Sequence, residues 1–185
     1  MYRDTVTVFI SDGGAEGKRL WHPRVLRGVN LTLSCGLEHR HGGVALASPI
    51  GDDEAILNVR YRSACETPDS GSAQIYLGER SDAIRIGGRT HGVRDDAIRI
   101  GDMLYLPPKL WRTSAEDVKR RTLTFARGDF FCTGDADLFG GVVDEDNFDP
   151  TEGFYGYMRR TRDGVYMISE TAVFSAIPHF VVRGK

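Results

Sequence analysis

The sequence predicts a mainly β protein: a small β-barrel or sandwich with long loops and one or two short helices. Apolar and polar residues alternate with a period of two in most of the apolar segments, which is the pattern of strands with one buried face. Glycine-rich connections separate these segments, as in all-β domains with many turns. We expect a single β-rich domain over residues 1–185, because a chain of this length can bury one sizeable core.

The charge of the chain is nearly balanced, with 24 basic and 26 acidic residues and a formal net charge of −2. This balance argues against a general electrostatic attraction to nucleic acid or to an anionic membrane. No apolar run approaches the roughly 18 to 20 residues that a membrane helix needs. The N-terminus alternates like a strand and lacks the basic and apolar regions of a secretion signal. We therefore expect no membrane partner and synthesis in the cytoplasm.

Three strands are predicted in the first third of the chain. Residues 5–10 alternate, and a turn-rich connection leads to a second strand over residues 20–29. Pro23 in that strand indicates an edge position or a bulge. Residues 53–62 form the third strand, and one of its faces carries the better core candidates: Ala55, Leu57, Val59 and Tyr61.

A long loop is expected over residues 34–52, because glycine and proline recur there too densely for a regular element. This loop contains Cys35, His39 and His41. A zinc site needs three or four preset ligands, and a Cys–His nucleophile pair needs a rigid frame and a third orienting group. We therefore expect no catalytic residue, no metal ligand and no cofactor, with a Cys/His-dependent hydrolase as the alternative. The chain has only three cysteines and no Cys-x-x-Cys pair, so we expect reduced thiols.

A short repeat occupies the middle of the chain, where Asp82–Gly87 and Asp96–Gly101 have the same sequence. Two copies are too few for a solenoid, so we predict the two strands of one hairpin, joined through residues 87–92. Two consecutive prolines then interrupt the sheet. A short helix is predicted over residues 115–120, with Thr113 or Ser114 as its N-cap.

Cys132 follows two phenylalanines in a predicted strand and is expected to be a buried thiol. Acidic residues recur after it, at Asp135, Asp137, Asp144, Asp146 and Asp149. The ligand order of an EF-hand is absent from this segment, so we expect a solvated acidic loop in place of a calcium site.

Residues 153–160 are predicted to form a short amphipathic helix. It is expected to turn three side chains inward: Phe154, Tyr157 and Met158. Three arginines project from its far end, where cations suit the helix dipole: Arg159, Arg160 and Arg162. A long strand over residues 165–174 and a closing strand over residues 179–183 complete the chain.

Six blocks of the sequence resemble a family of tailed-phage and prophage proteins without an assigned activity: residues 1–9, 21–29, 53–61, 105–109, 153–158 and 177–185. The opening segment is also similar to the start of phage head-closure (stopper) proteins of the head–tail connector. It consists of a strand that ends near Phe9, a glycine turn and a strand with Trp21. The chain departs from the family pattern at residues 34–52 and 80–104, which indicates loop insertions. The family has no assigned catalytic residues.

The resemblance implies a virion structural protein, most simply a homo-oligomeric ring subunit of the head–tail connector or neck. Its partners would be further copies of itself and the neighbouring portal or adaptor and tail proteins, with genomic DNA close by. A capsid decoration or tail protein is the alternative within this class. Two patches of opposite charge would suit head-to-tail contacts in a ring. The candidate interaction residues are Arg159, Arg160, Arg162, Asp144 and Asp146.

Overall fold

A computed structural model describes residues 2–13, 18–34, 54–63, 84–86, 89–91, 98–136 and 141–185 of the chain. The strands in these residues are β1 (Asp4–Ser11), β2 (Leu20–Ser34), β3 (Glu54–Arg60), β4 (Arg62–Ser63), β5 (Ile84–Ile86), β6 (Arg89–His91), β7 (Ile98–Ile100), β8 (Met103–Tyr105), β9 (Thr122–Leu123), β10 (Phe130–Thr133), β11 (Val143–Asp144), β12 (Val165–Phe174) and β13 (His179–Gly184). The helices are α1 (Pro108–Arg112), α2 (Glu116–Arg121) and α3 (Gly153–Thr161), and a 3₁₀ turn spans Glu145–Asn147.

Six of the strands close into an antiparallel β-barrel, which confirms the predicted mainly β class. The hydrogen-bonded order is β1-β10-β12-β13-β3-β2, and β2 returns to pair with β1. Of the two architectures that the sequence allowed, the barrel is therefore the one adopted. A closed barrel leaves its central strands without free edges.

The long strand β2 closes the barrel because it pairs with two different strands along its length. Its first part, from Trp21 to Val29, pairs with β1, and its last part, from Asn30 to Ser34, pairs with β3. The register with β1 slips at Gly28, whose φ of 67° is in the left-handed region that favours glycine. Pro23 lies in regular register opposite Phe9, so the bulge in β2 is at Gly28 and not at Pro23.

The barrel interior is filled by alternate side chains of the strands and by a covering segment, residues 98–125. On β3 the buried residues are Ala55, Leu57 and Val59, which confirms the predicted face; Tyr61 beyond the strand is half-buried. The covering segment adds further members of the same core: Ile100, Leu106, Trp111, Val118, Leu123 and Phe125. It contains α1, α2 and the short strands β7, β8 and β9, with β8 and β9 parallel.

A second core lies on the outer face of β1, β2 and β10, beneath α3. Phe9 stacks on Phe130 at a centroid distance of 4.7 Å, and Phe154 of α3 meets Phe9 edge-on at 5.2 Å. Other members of this outer cluster are Trp21, Cys132, Ala136, Val143, Met158 and Val165. The predicted burial of Cys132, Phe154 and Met158 is thus confirmed, while Tyr157 is half-buried.

Two local predictions were wrong. The repeated segments do not pair with each other, because Ile84–Ile86 pairs with Arg89–His91 and Ile98–Ile100 pairs with Met103–Tyr105. Each copy finds its partner across a nearer turn. Helix α2 begins one residue later than predicted, with Ala115 at the N-cap and no side-chain cap. Ser114 instead donates its hydroxyl to the carbonyl of Leu110, at 2.8 Å, and so completes the end of α1.

Candidate functional site: interaction surfaces and a buried ion network

The tip of the β12–β13 hairpin exposes large apolar side chains. Val173 is 50% exposed, Phe174 48% and Ile177 71%; we call these three residues the apolar tip. The tip is held in place, because Phe174 stacks on His179 at 5.0 Å and the Tyr61 hydroxyl donates to the Phe174 carbonyl at 3.0 Å. An apolar surface on a fixed backbone is typical of a protein contact site.

The outer half of β12 adds a second feature to this surface. Residues 165–167 pair with β10 and residues 170–174 pair with β13. Within the described part of the chain, β13 is the only strand that pairs with residues 170–174. An unpaired strand edge presents hydrogen-bonding groups to a partner. Sequence reasoning missed this surface, although one signal was present: the hairpin turn Ser175-Ala-Ile-Pro178 is apolar where hairpin turns are usually polar.

A groove of about 690 Å³ lies over the outer side of β12. Its floor is formed by residues 164–169, one end of α3 supplies Tyr155, Arg159 and Arg162, and the turn before β10 supplies Arg127. We call it the basic groove, since it is lined by four cations: Arg127, Arg159, Arg162 and Lys185. Asp163 is the only acidic side chain among the described residues of its lining, and none of the four cations forms an ion pair with another described residue.

The structure separates the three arginines that the sequence grouped together. Arg159 and Arg162 line the basic groove, whereas Arg160 is paired with Glu152 through Nε at 2.9 Å and Nη2 at 3.3 Å. This pairing raises the pKa of Arg160 above its usual value. Arg162 lies near the buried thiol of Cys132, whose pKa is raised by burial and lowered in part by that guanidinium. Only Arg159 and Arg162 are thus available to a common ligand.

Three of the predicted acidic residues, Asp144, Asp146 and Asp149, lie in one turn, which we call the acidic turn (residues 144–149), whereas Asp135 lies apart and pairs with Arg27 at 2.7 Å. Asp144 accepts a hydrogen bond from the backbone N–H of Asp146 at 3.0 Å, and Asp149 accepts two from Thr151. Glu145 accepts from the indole N–H of Trp21 and from the backbone N–H of Phe154. These carboxylates build the turn separately and do not converge on one point. Asp137 lies outside the described residues.

A buried ion network that the sequence did not predict joins α2 to the β1–β2 hairpin. The Lys119 ammonium lies 3.3 Å from Asp12 and 3.2 Å from Glu116, and His22 Nε2 lies 3.3 Å from the same Asp12 oxygen. Burial lowers the pKa of His22, and the hydrogen bond to Asp12 opposes that shift. His22 is therefore neutral at pH 7, with its proton on Nε2 facing Asp12. Its Nδ1 is buried and has no hydrogen-bond partner among the described residues.

Three members of the network have the residue types of a metal site. Ligand atoms of Asp12, His22 and Glu116 lie within 4.8 Å of one another. However, the Lys119 ammonium contacts both carboxylates and occupies the position of a cation between them. The Lys119 ammonium therefore supplies the positive charge that balances Asp12 and Glu116, and the network attaches α2 to the barrel.

The Cys35, His39 and His41 segment lies outside the described residues, so the expectation of a polar loop there stays a prediction. None of the described helices is long and apolar enough to span a membrane.

Comparison with known proteins gives no relative for this chain. No protein-family model matches it, and neither a curated protein nor a solved structure is significantly similar to it.

Proposed function

We propose that the chain is a virion structural protein of a tailed phage or prophage, made in the host cytoplasm, and that it forms a ring in the head–tail connector. The proposal is supported by the sequence resemblance and by one structural observation, the apolar tip beside an edge of β12 with which no described strand pairs. Its partners are further copies of itself and the adjoining portal or adaptor and tail proteins, with the genome close by.

The apolar tip supports an assembly role because its energetics suit a contact surface. Burying a large apolar side chain contributes roughly 1.5 to 3 kcal/mol. The backbone of the apolar tip is already fixed by the Tyr61 hydrogen bond and by pairing with β13, so little conformational entropy is lost on binding. A subunit of a large assembly needs this combination of a rigid core and a preformed apolar contact.

Localisation in particles tests the proposal directly. An antibody against the chain should label tailed particles of the source phage at the head–tail junction in negative-stain electron microscopy. Label over the capsid would indicate a decoration protein, and label along the tail would indicate a tail protein, in place of a connector subunit. Particles that carry no label, and contain none of the chain by mass spectrometry, would reject the proposal.

A matched pair of variants tests the apolar tip. The change Phe174→Ser with Ile177→Ser should reduce incorporation into particles, since losing two apolar contacts weakens association by a factor on the order of 100. The control is Leu33→Ser with Val142→Ser, which removes two apolar side chains of similar exposure elsewhere, 49% and 42%. Both proteins should keep the wild-type circular dichroism. Equal incorporation of the two would exclude the tip as the contact.

A further inference from the structure

Helix α3 carries opposite charges at its two ends. The acidic turn adjoins its N-terminus, where Glu145 accepts the Phe154 N–H at 3.2 Å and the Gly153 N–H donates to the Asp149 carbonyl at 2.7 Å. The basic groove begins at its C-terminal turn with Arg159 and Arg162. The two charged surfaces are thus fixed to one element.

These two surfaces cannot meet within one subunit. A helix of nine residues is about 14 Å long. Phe154 and Met158 bury α3 in the outer cluster, so the helix cannot move as a free arm. Lys18 lies 3.9 Å from Asp146 in the same subunit, in an exposed pair that contributes little. None of the described acids forms an ion pair with Arg159 or Arg162, so these cations can gain a carboxylate partner from another molecule.

The basic groove has the capacity for an anionic partner. Arg127, Arg159 and Lys185 are exposed, Arg162 is half-buried, and Asp163 is the one acidic side chain that the described lining contains. The neighbouring Arg160 shows the contrast, since Glu152 already neutralises it. Guanidinium groups pair with carboxylates through two parallel hydrogen bonds, which fixes the orientation of a partner as well as attracting it.

We propose that the basic groove of one subunit binds the acidic turn of a second copy of this chain. The inference rests on the proposed function and names the contact that builds the ring. Each subunit uses two different surfaces, so the contact is heterologous: it propagates from subunit to subunit and closes into a ring when the rotation permits. The charge pairs set orientation and register, and apolar contacts supply most of the affinity.

A second copy fits this groove better than a nucleic acid does. The chain has a net charge of −2, so it has no long-range attraction for a polyanion. The complementary acidic surface is present on the same molecule. The groove, at about 690 Å³, can hold the side chains of a short turn, whereas a duplex is far larger.

Two charge-reversed proteins test the contact by sedimentation velocity over a range of concentrations. The groove variant is Arg127→Glu with Arg159→Glu, two exposed residues; Arg162 is left intact because it lies near the buried Cys132. The turn variant is Asp144→Lys with Asp146→Lys, and Asp146→Lys alone replaces it if the loss of the Asp144 hydrogen bond unfolds the turn. Wild type should form oligomers, and each variant alone should be monomeric.

Mixing the variants distinguishes a head-to-tail contact from other modes of association. In an equimolar mixture the intact turn of the groove variant meets the intact groove of the turn variant, and the reversed groove of the first meets the reversed turn of the second. The mixture should therefore form oligomers that neither variant forms alone. A chain that carries both pairs of changes should recover oligomers, since the two reversed surfaces match again. The control for the groove variant, Arg120→Glu with Arg121→Glu, lowers the net charge by the same amount on the exposed face of α2 and should sediment like wild type.

Several results would overturn the proposal. Wild type that stays monomeric at every concentration, variants that associate like wild type, or a mixture of the two variants that stays monomeric would each do so. Binding of a DNA fragment that the groove variant loses, without self-association of wild type, would assign the groove to nucleic acid. Antibody labelling of particles does not depend on this contact, so labelled particles with unaffected charge variants would reject the groove contact and leave the proposed function standing.

Discussion

Asp129 is a carboxylate that is completely buried next to β10. It accepts hydrogen bonds from the backbone N–H groups of Ser11 at 3.0 Å and Ala126 at 2.9 Å. Burial raises its pKa from 3.8 to about 6, although both hydrogen bonds favour the ionised form. These hydrogen bonds connect the turn before β10 to the end of β1, and burying the ionised carboxylate there costs desolvation free energy.

This raised pKa predicts a pH-dependent stability. The folded state binds the Asp129 proton more tightly than the unfolded state, so the residue's contribution is fully present below about pH 3.8 and is lost as the pH rises through about 6. Relative to Asp129→Asn, wild type should lose on the order of 3 kcal/mol of unfolding free energy over this range. His22 titrates in both proteins, so its opposite effect cancels in the difference. Parallel pH profiles of urea unfolding for the two proteins would contradict the assignment.

Leu57 and Ile56 are neighbours on β3 that face opposite sides. Leu57 is buried in the barrel interior and Ile56 is half-buried. Leu57→Ala should lower the free energy of unfolding by roughly 2 to 5 kcal/mol, as other large-to-small core changes do. Ile56→Ala is the matched control and should cost roughly 1 kcal/mol or less. Urea titrations that show equal losses would mean that the strand buries both faces to the same extent.

At the scale of elements, α2 depends on a charge pair as well as on apolar contacts. Val118 packs into the barrel core, and Lys119 is buried against Asp12, with its ammonium over the Trp111 indole at 5.6 Å from the ring centroid. The Arg24 guanidinium donates to the carbonyls of Lys119 and Thr122 from inside the barrel wall. Helix α2 has six residues and could not form alone, so these contacts hold it in place.

A double-mutant cycle tests this attachment. Lys119→Met keeps the aliphatic packing but removes the cation beside a buried carboxylate, and should cost roughly 3 to 5 kcal/mol. Asp12→Asn with Lys119→Met should be more stable than Lys119→Met alone, because the buried negative charge is then removed as well. Chemical denaturation of the four proteins measures the coupling. Strictly additive losses would show that the pair does not interact in solution.

The elements differ in how far the sequence determines them. The faces of β3 and α3 were predicted correctly because burial repeats with the period of the strand or helix. The pairing of the two Asp-Ala-Ile-Arg-Ile-Gly segments was predicted wrongly. Their alternating apolar and polar residues fit several partner strands, and the short turn after each copy determines which strand it pairs with. The buried ion network could not be predicted either. The β1–β2 hairpin places His22 beside Asp12, but only the packing of the covering segment brings Lys119 to them.

For the whole molecule, the mainly β class followed from local alternation, whereas barrel closure depends on distant pairs. β1 pairs with β10, and Val6 lies opposite Thr133. The sequences of β1 and β10 each predict a strand with an apolar face, but they do not predict that these two strands pair with each other. The candidate contact residues showed the same limit: the sequence grouped three arginines, and only the packing of α3 shows that Glu152 neutralises one of them.

The barrel and the layer under α3 share β1 and β10, and this predicts one cooperative unit. Val8 and Phe131 face the interior core, while Phe9 and Phe130 on the same strands face the outer cluster. Losing either core therefore exposes one face of the shared strands. The two tryptophans report on the two cores separately, with Trp21 in the outer cluster and Trp111 in the interior core.

Single-tryptophan proteins test this cooperativity. Trp111→Phe leaves Trp21 as the fluorescent probe, and Trp21→Phe leaves Trp111, each with an aromatic ring kept in place. In each variant the fluorescence transition in urea should coincide with the far-ultraviolet circular dichroism transition, as expected for two-state unfolding. Phe154→Ala should shift both probes to lower urea by the same free energy, roughly 3 to 5 kcal/mol. A Trp21 transition that precedes the loss of strand signal would show instead that α3 and its cluster unfold before the barrel.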